Sequence, residues 1–97
     1  MYYLCRLIAP RPTFATEMTA AEAKAMGEHV AYWTGLLAKG KVVAFGPVKD
    51  PKGPWGLGVV SVRDAAELHE LQANDPAIKA QIGMRYEAFE MPRLVHK

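Results

Sequence analysis

Chemistry near neutral pH in this chain begins with His29 and Asp75. An imidazole titrates near pH ~6.5 and can accept and return a proton without a cofactor. A carboxylate beside it can hold one ring nitrogen as N–H, which fixes the tautomer, strengthens the ring as a base and leaves the other nitrogen free. Helical periodicity puts His29 at the edge of an apolar stripe, beside Met26, Trp33 and Leu36 and away from Lys24 and Glu28, a position that is partly buried. Such a histidine is open to two readings: a proton-transfer group, or a packed residue with one hydrogen bond. Asp75 is likewise either a partner for an imidazole or the cap of a helix beginning at Pro76. The two roles coexist, because one carboxylate oxygen can cap while the other accepts from a ring N–H. His69 falls on the solvent side of its helix and His96 in the tail, so neither is a candidate.

Other chemistries lack their residues. His29, His69 and His96 stand far apart, no His-x-x-x-His pair occurs, and Cys5 is alone, so no metal site is expected. Gly46, Gly53, Gly56 and Gly58 form a glycine-rich stretch, but no Gly-x-Gly-x-x-Gly opens a helix and no Lys-Ser/Thr follows, so these are turn and hairpin residues rather than a phosphate cradle. Tyr2, Tyr3, Trp33, Trp55 and Tyr86 have no basic surround and read as core and interface packing rather than as base-stacking platforms. An apolar pocket is expected from Trp33, Phe45 and Trp55 near a Gly46-Pro47 rim, which makes these five the candidate substrate-binding residues.

The elements that must position these side chains follow from pattern. Tyr2 to Ala9 is a strand ended by Pro10 and Pro12. Thr19-Ala-Ala-Glu22 has the spacing of a capping box, and the helix it opens runs to about Lys39, closed by Gly40, with Ala23, Met26, Val30, Trp33 and Leu37 in one stripe. Val42 to Phe45 and Trp55 to Val62 are strands joined by a long turn-rich loop, Gly46 to Pro54. Asp64 to Asn74 is a second helix, with Ala65, Leu68, Leu71 and Gln72 on one face and Asp64 and Glu67 at capping spacing. Pro76 to Ile82 is a short third helix, and Met84 to Met91 a last strand. The order βαββαβ predicts an α+β ferredoxin-like plait, a four-stranded antiparallel sheet with the helices on one face.

Composition sets the partners. With 97 residues, 51% hydrophobic, 23% charged and a formal charge of +2, the chain reads as one domain, residues 1–97, with acids and bases interleaved. No basic patch argues for nucleic acid, and no apolar stretch nears the ~20 residues of a membrane span. A lone cysteine and an N-terminal apolar run too short for a signal sequence lead to the expectation of a cytoplasmic protein. The first strand is apolar on both faces, Tyr2, Leu4 and Ile8 against Tyr3, Cys5, Leu7 and Ala9, although so few elements can cover only one. A second protomer is expected to cover the other, giving a homodimer with its two sheets face to face.

The order His29-Val-Ala-Tyr-Trp33, Gly40, Gly46-Pro47-Val-Lys-Asp50 with Gly53, and Asn74-Asp75-Pro76 before the last strand resembles the YciI-like (YCII-related) family of the dimeric α/β-barrel class. The resemblance spans nearly the whole chain, to Pro92. It implies a ferredoxin-like dimer with a pocket between helix and sheet, and a catalytic His-Asp pair carried here by His29 and Asp75. Such proteins often place an aromatic residue after the Asp-Pro, whereas this chain has Ala77, which implies extra room in the pocket. Together these readings point to cofactor-independent acid/base chemistry of lyase, dehydrohalogenase or isomerase type on a small cyclic or aromatic substrate. The alternative is a non-catalytic dimeric domain that binds a small molecule or serves as an accessory module.

Overall fold

The computed structural model describes residues 1–97. The order is β1 (Tyr2–Ile8), α1 (Ala20–Ala38), β2 (Val42–Val48), β3 (Trp55–Ser61), α2 (Ala65–Ala73), α3 (Pro76–Lys79) and β4 (Arg85–Met91). The four strands form one sheet in the order β2-β3-β1-β4, every neighbouring pair antiparallel. This is the expected ferredoxin-like plait.

Helix boundaries follow their caps. Thr19 accepts from the Glu22 N–H at 3.1 Å while the Glu22 carboxylate accepts from the Thr19 N–H at 2.9 Å, so two orphan donors at the start of α1 are satisfied reciprocally. The helix closes as expected at Gly40, whose φ of +77° lets Gly40 N–H reach the Leu37 carbonyl and Lys41 N–H the Leu36 carbonyl. Asp64 caps α2 by accepting from Glu67 N–H at 2.9 Å, but the bond is not returned: Glu67 accepts instead from Arg63 N–H and the Lys41 ammonium, each at 2.9 Å. Three spans differ from the sequence reading by more than a residue at one end. β2 continues past Phe45 to Val48, because it is an edge strand on which Pro47 needs no inward N–H, and Pro47 and Val48 pair with Gly56 and Trp55. The connecting loop is correspondingly short. α3 stops at Lys79 rather than Ile82, where the chain turns through left-handed Gln81 (φ 54°) and Gly83 (φ 87°).

The core lies between helices and sheet, built from Tyr3 and Cys5 of β1, Val60 of β3, Val42, Val62, and Trp33, Leu68 and Leu71 of the helices. The phase of α1 departs from its apolar stripe. Its buried residues are Glu22, Ala25, His29 and Trp33, whereas Ala23, Val30 and Leu37 are exposed. The reason is that its polar residues have partners inside: Arg11 donates to both Glu22 carboxylate oxygens at 2.7 and 2.9 Å, and Asp75 takes His29. On α2, Ala65 is likewise exposed while Leu68 and Leu71 are buried.

The other sheet face carries Tyr2, Leu4, Arg6 and Ile8 of β1, in register with Leu57 and Val59 of β3 and Phe89 and Met91 of β4. No helix or strand of the chain lies over it; at one end the His96 ring of the C-terminal tail meets Tyr2, centroids 6.0 Å apart. The β1 residues on it are half-buried by their neighbours, and Phe89 is 52% exposed.

Candidate active site

Asp75 sits where α2 gives way to α3. Its backbone is extended (φ −64°, ψ 126°), as the following proline requires, and its side chain caps α3 by accepting from Ala77 N–H at 2.9 Å. The carboxylate is fully buried. His29, one of the buried residues of α1 at 9% exposure, places Nδ1 2.8 Å from Asp75 Oδ2 and 2.9 Å from Oδ1. The Trp33 indole, one turn further along α1, donates Nε1–H to Oδ2 at 2.8 Å, and the Tyr86 hydroxyl of β4 donates to the same oxygen. Both roles expected of Asp75, cap and imidazole partner, are therefore geometrically present.

Four donors converge on one buried carboxylate. Burial opposes its charge, but the hydrogen bonds from His29 and Tyr86, the attraction to His29 and the Ala77 N–H outweigh this and hold the Asp75 carboxyl below its ordinary range. The same burial, reinforced by the Asp75 charge and by the hydrogen bond to it, pushes the Tyr86 hydroxyl far above its usual titration, so Tyr86 acts as a fixed donor. An ionised carboxylate only accepts, so Nδ1 of His29 carries the proton in this contact and Nε2 of a neutral ring is left with its lone pair. Nε2 has no hydrogen-bond partner in the chain.

His29 forms part of the wall of a cavity of about 320 Å³ between α1, the sheet and the β1–α1 loop. Trp33, Phe45, Gly46, Pro47 and Trp55, the five expected pocket residues, all line it. Thirteen of its nineteen lining residues are hydrophobic, and none is Asp, Glu, Lys or Arg. Trp33 fits because β3 has Gly58 beneath it: a Cβ there would lie 2.3 Å from the indole ring. The Trp33 ring is tilted against Phe45 and Tyr86, with centroids 5.8 and 6.3 Å away. Ala77 does not open this cavity. It is fully buried away from the lining, so the small residue after Asp75-Pro76 serves packing rather than pocket volume.

The model of the YCII-related domain family matches residues 1–92. The chain belongs to the YCII-related family. Among solved structures it is similar to 5-chloro-2-hydroxyhydroquinone dehydrochlorinase from Burkholderia phenoliruptrix AC1100, in complex with 2,5-dihydroxybenzoquinone. The two share 21% identity over 94% of this chain and 93% of the other, with a TM-score of 0.69, a likeness of fold. SnoaB, a cofactor-independent oxygenase from Streptomyces nogalater, shares 10% identity over 99% of this chain and 96% of its own, with a TM-score of 0.48. No curated protein matches the sequence.

Two contributors to this YCII-related site escaped the sequence reading. Tyr86 reads from the sequence as a packing residue; strand alternation places it on the helix side opposite Leu7, but only the tertiary fold brings its hydroxyl to Asp75. The stretch Pro10 to Met18 reads as a plain connection, yet it buries Phe14 and supplies Phe14, Ala15 and Met18 to the cavity. The apolar residues Phe14, Ala15 and Met18 inside a loop that opens on Pro10 and Pro12 are the available signal. His69 and His96 are exposed, and no three His, Cys, Asp or Glu side chains gather as a metal-ligating group.

Proposed function

We propose that the chain is a cofactor-independent enzyme in which His29 and Asp75 carry out general acid/base chemistry on a small cyclic or aromatic substrate bound against Trp33, Phe45, Gly46, Pro47 and Trp55. The observation that supports this is the pairing of a buried, four-donor carboxylate with Nδ1 of a histidine whose other nitrogen is unpartnered on the wall of an apolar cavity. Nε2 takes a proton from substrate carbon or oxygen, and Asp75 balances the charge that appears on the ring. In an elimination, the electron pair of the broken C–H bond forms the new double bond and expels a leaving group such as halide; the proton then passes from His29 to solvent. In an isomerisation, the same proton returns to a different atom of the ring. Trp33 and Tyr86 are positioning residues, because they touch Asp75 and fix its angle to His29.

The solved dehydrochlorinase acts, by its name, on a chlorinated hydroxyhydroquinone, and its fold is shared, which makes halogenated and hydroxylated rings the first compounds to try. The working form is a homodimer with its sheets face to face. The apolar face of β1, β3 and β4 supports this, as does Arg6 at its centre: Arg6 pairs with Glu87 at 3.0 Å and lies over Trp55, while its buried Nε–H lacks an acceptor. One unreactive buried thiol suits a reducing, cytoplasmic setting: burial pushes Cys5 up to about 11, only partly offset by its hydrogen bond from Gln72.

The test incubates the protein in D2O with a panel of halogenated hydroquinones, hydroxyquinones, cyclic enones and lactones, following halide release and ring deuteration by NMR. Turnover of at least one compound that falls at least a hundredfold in His29→Gln is the expected result. Binding without exchange or release, equal in wild type and His29→Gln, favours a non-catalytic binding domain and overturns the proposal.

A further inference from the structure

The cavity wall restricts the ligand more tightly than an acid/base pair alone. Every side-chain N–H or O–H on the wall is already committed: His29 Nδ1, Trp33 Nε1 and the Tyr86 hydroxyl to Asp75, and Trp55 Nε1 to Asp50 at 3.1 Å. The remaining lining residues are aliphatic, aromatic, methionine, glycine or proline and have no side-chain donor at all. His29 Nε2 is thus the one free polar side-chain atom, and as a lone pair it accepts.

The nearest cations do not alter this. Arg6, Arg11 and Lys52 line the adjacent groove beyond Trp55, outside the cavity wall; Arg6 is bound to Glu87 at 3.0 Å and Arg11 to Glu22 at 2.7 Å, while Lys52 makes no ion pair. The charge closest to the ligand is the buried Asp75 anion behind His29, which repels a second anion. A carboxylate or phosphate entering the cavity gives up part of its hydration and meets no Lys or Arg on the wall, so only a protonated His29 could offer it a counter-charge.

Size is bounded as well. A dry apolar cavity of about 150 Å³ accommodates benzene. At about 320 Å³, this one has room for roughly two fused rings. Apart from the Nε2–H that His29 itself gains, no side-chain donor on the wall faces the charge left by proton removal, so the step favours a ligand that delocalises that charge over its own ring system or loses it with a departing group.

We infer that the site selects uncharged aromatic or quinoid compounds of one or two rings, presenting a single acidic C–H or O–H to His29 Nε2, and excludes carboxylates and phosphate esters. The preference for a neutral ligand of this size follows from the wall with Nε2 unprotonated; the placement of the acidic hydrogen rests on the acid/base reading of His29.

A matched ligand pair tests it. 2-Naphthol and 2-naphthoate have the same rings but differ in charge at pH 7, the first neutral and the second an anion, and binding is read by quenching of Trp33 and Trp55 fluorescence and by calorimetry. Naphthol is expected to bind at least tenfold more tightly than naphthoate, and Val30→Arg, which adds a cation at an exposed wall position, is expected to narrow or reverse that ratio. Naphthoate binding as well as naphthol, or neither binding at millimolar concentration, overturns the inference. So does a ratio unmoved in a folded Val30→Arg protein. His29→Gln separates the two proposals: an unchanged naphthol affinity with the naphthol preference intact removes the His29 contact and leaves the neutral-ligand selection standing.

Discussion

At the scale of single residues, the site depends on how one carboxylate is shared. Asp75 is held below its ordinary range against the opposing effect of burial, through hydrogen bonds led by His29 and Tyr86. A carboxylate whose pKa falls on folding adds stability at neutral pH. That stability is complete above the unfolded value, near ~3.9, and disappears as pH drops toward the lower folded value. Comparison of urea denaturation between pH 2 and 7 should therefore show a steeper acid loss in wild type than in Asp75→Asn, and identical slopes would contradict this role. Gly58 gives a second prediction. An alanine Cβ would overlap the Trp33 ring, so Gly58→Ala must shift the indole and with it the donor to Asp75. Destabilisation of about 1–3 kcal/mol is expected from chemical denaturation, with a change in near-UV circular dichroism from Trp33. The carboxylate's double role was legible in the sequence, because Asp-Pro is a local cap signal. Tyr86 as a donor was not, since its hydroxyl meets Asp75 across 11 residues only once β4 is in the sheet.

At the scale of elements, α1 shows both the strength and the failure of pattern reading. Its start at Thr19 and its closure at Gly40 follow from local hydrogen bonding, and both are where the sequence puts them. Its rotational phase is not local. Val30 and Leu37 face solvent because Glu22 and His29 have buried partners on other segments, and no periodicity of apolar residues encodes those partners. The end of β2 was misread for a similar reason, since Pro47 is compatible with a strand only when that strand is at an edge. The β1–α1 loop is tied to α1 by Arg11, which donates to Glu22 and also to the Glu17 carbonyl at 2.6 Å, while Phe14 and Met18 close the cavity. The Arg11–Glu22 pair is partly exposed, so Arg11→Ala should leave global stability nearly unchanged in chemical denaturation. Limited proteolysis is the sharper probe: cleavage between residues 11 and 18 should accelerate several-fold, and an unchanged rate would show that Phe14 alone holds the loop.

For the whole molecule, the sequence showed more apolar surface on β1 than one chain can cover, and the sheet has that face open. Phe89 stands out because it is large, apolar and 52% exposed, so replacing it leaves the monomer's own core intact. Sedimentation at micromolar concentration should give a dimer for wild type and a folded monomer for Phe89→Asp; a monomeric wild type would remove the face-to-face assembly. The fold itself needed little beyond pattern, caps and strand order. The assembled site needed the tertiary structure, because its four donors come from α1, α3 and β4. The central claim is that Asp75 fixes the tautomer of His29, with the proton on Nδ1 and Nε2 left unpartnered on the wall of an apolar cavity, and the nitrogen-15 spectrum of the His29 imidazole reads this directly. At a pH where the ring is neutral, the account predicts a protonated Nδ1 and an unprotonated Nε2, with Nε2 shifting when 2-naphthol is added. A proton found on Nε2, or an Nε2 signal indifferent to the ligand, would contradict it.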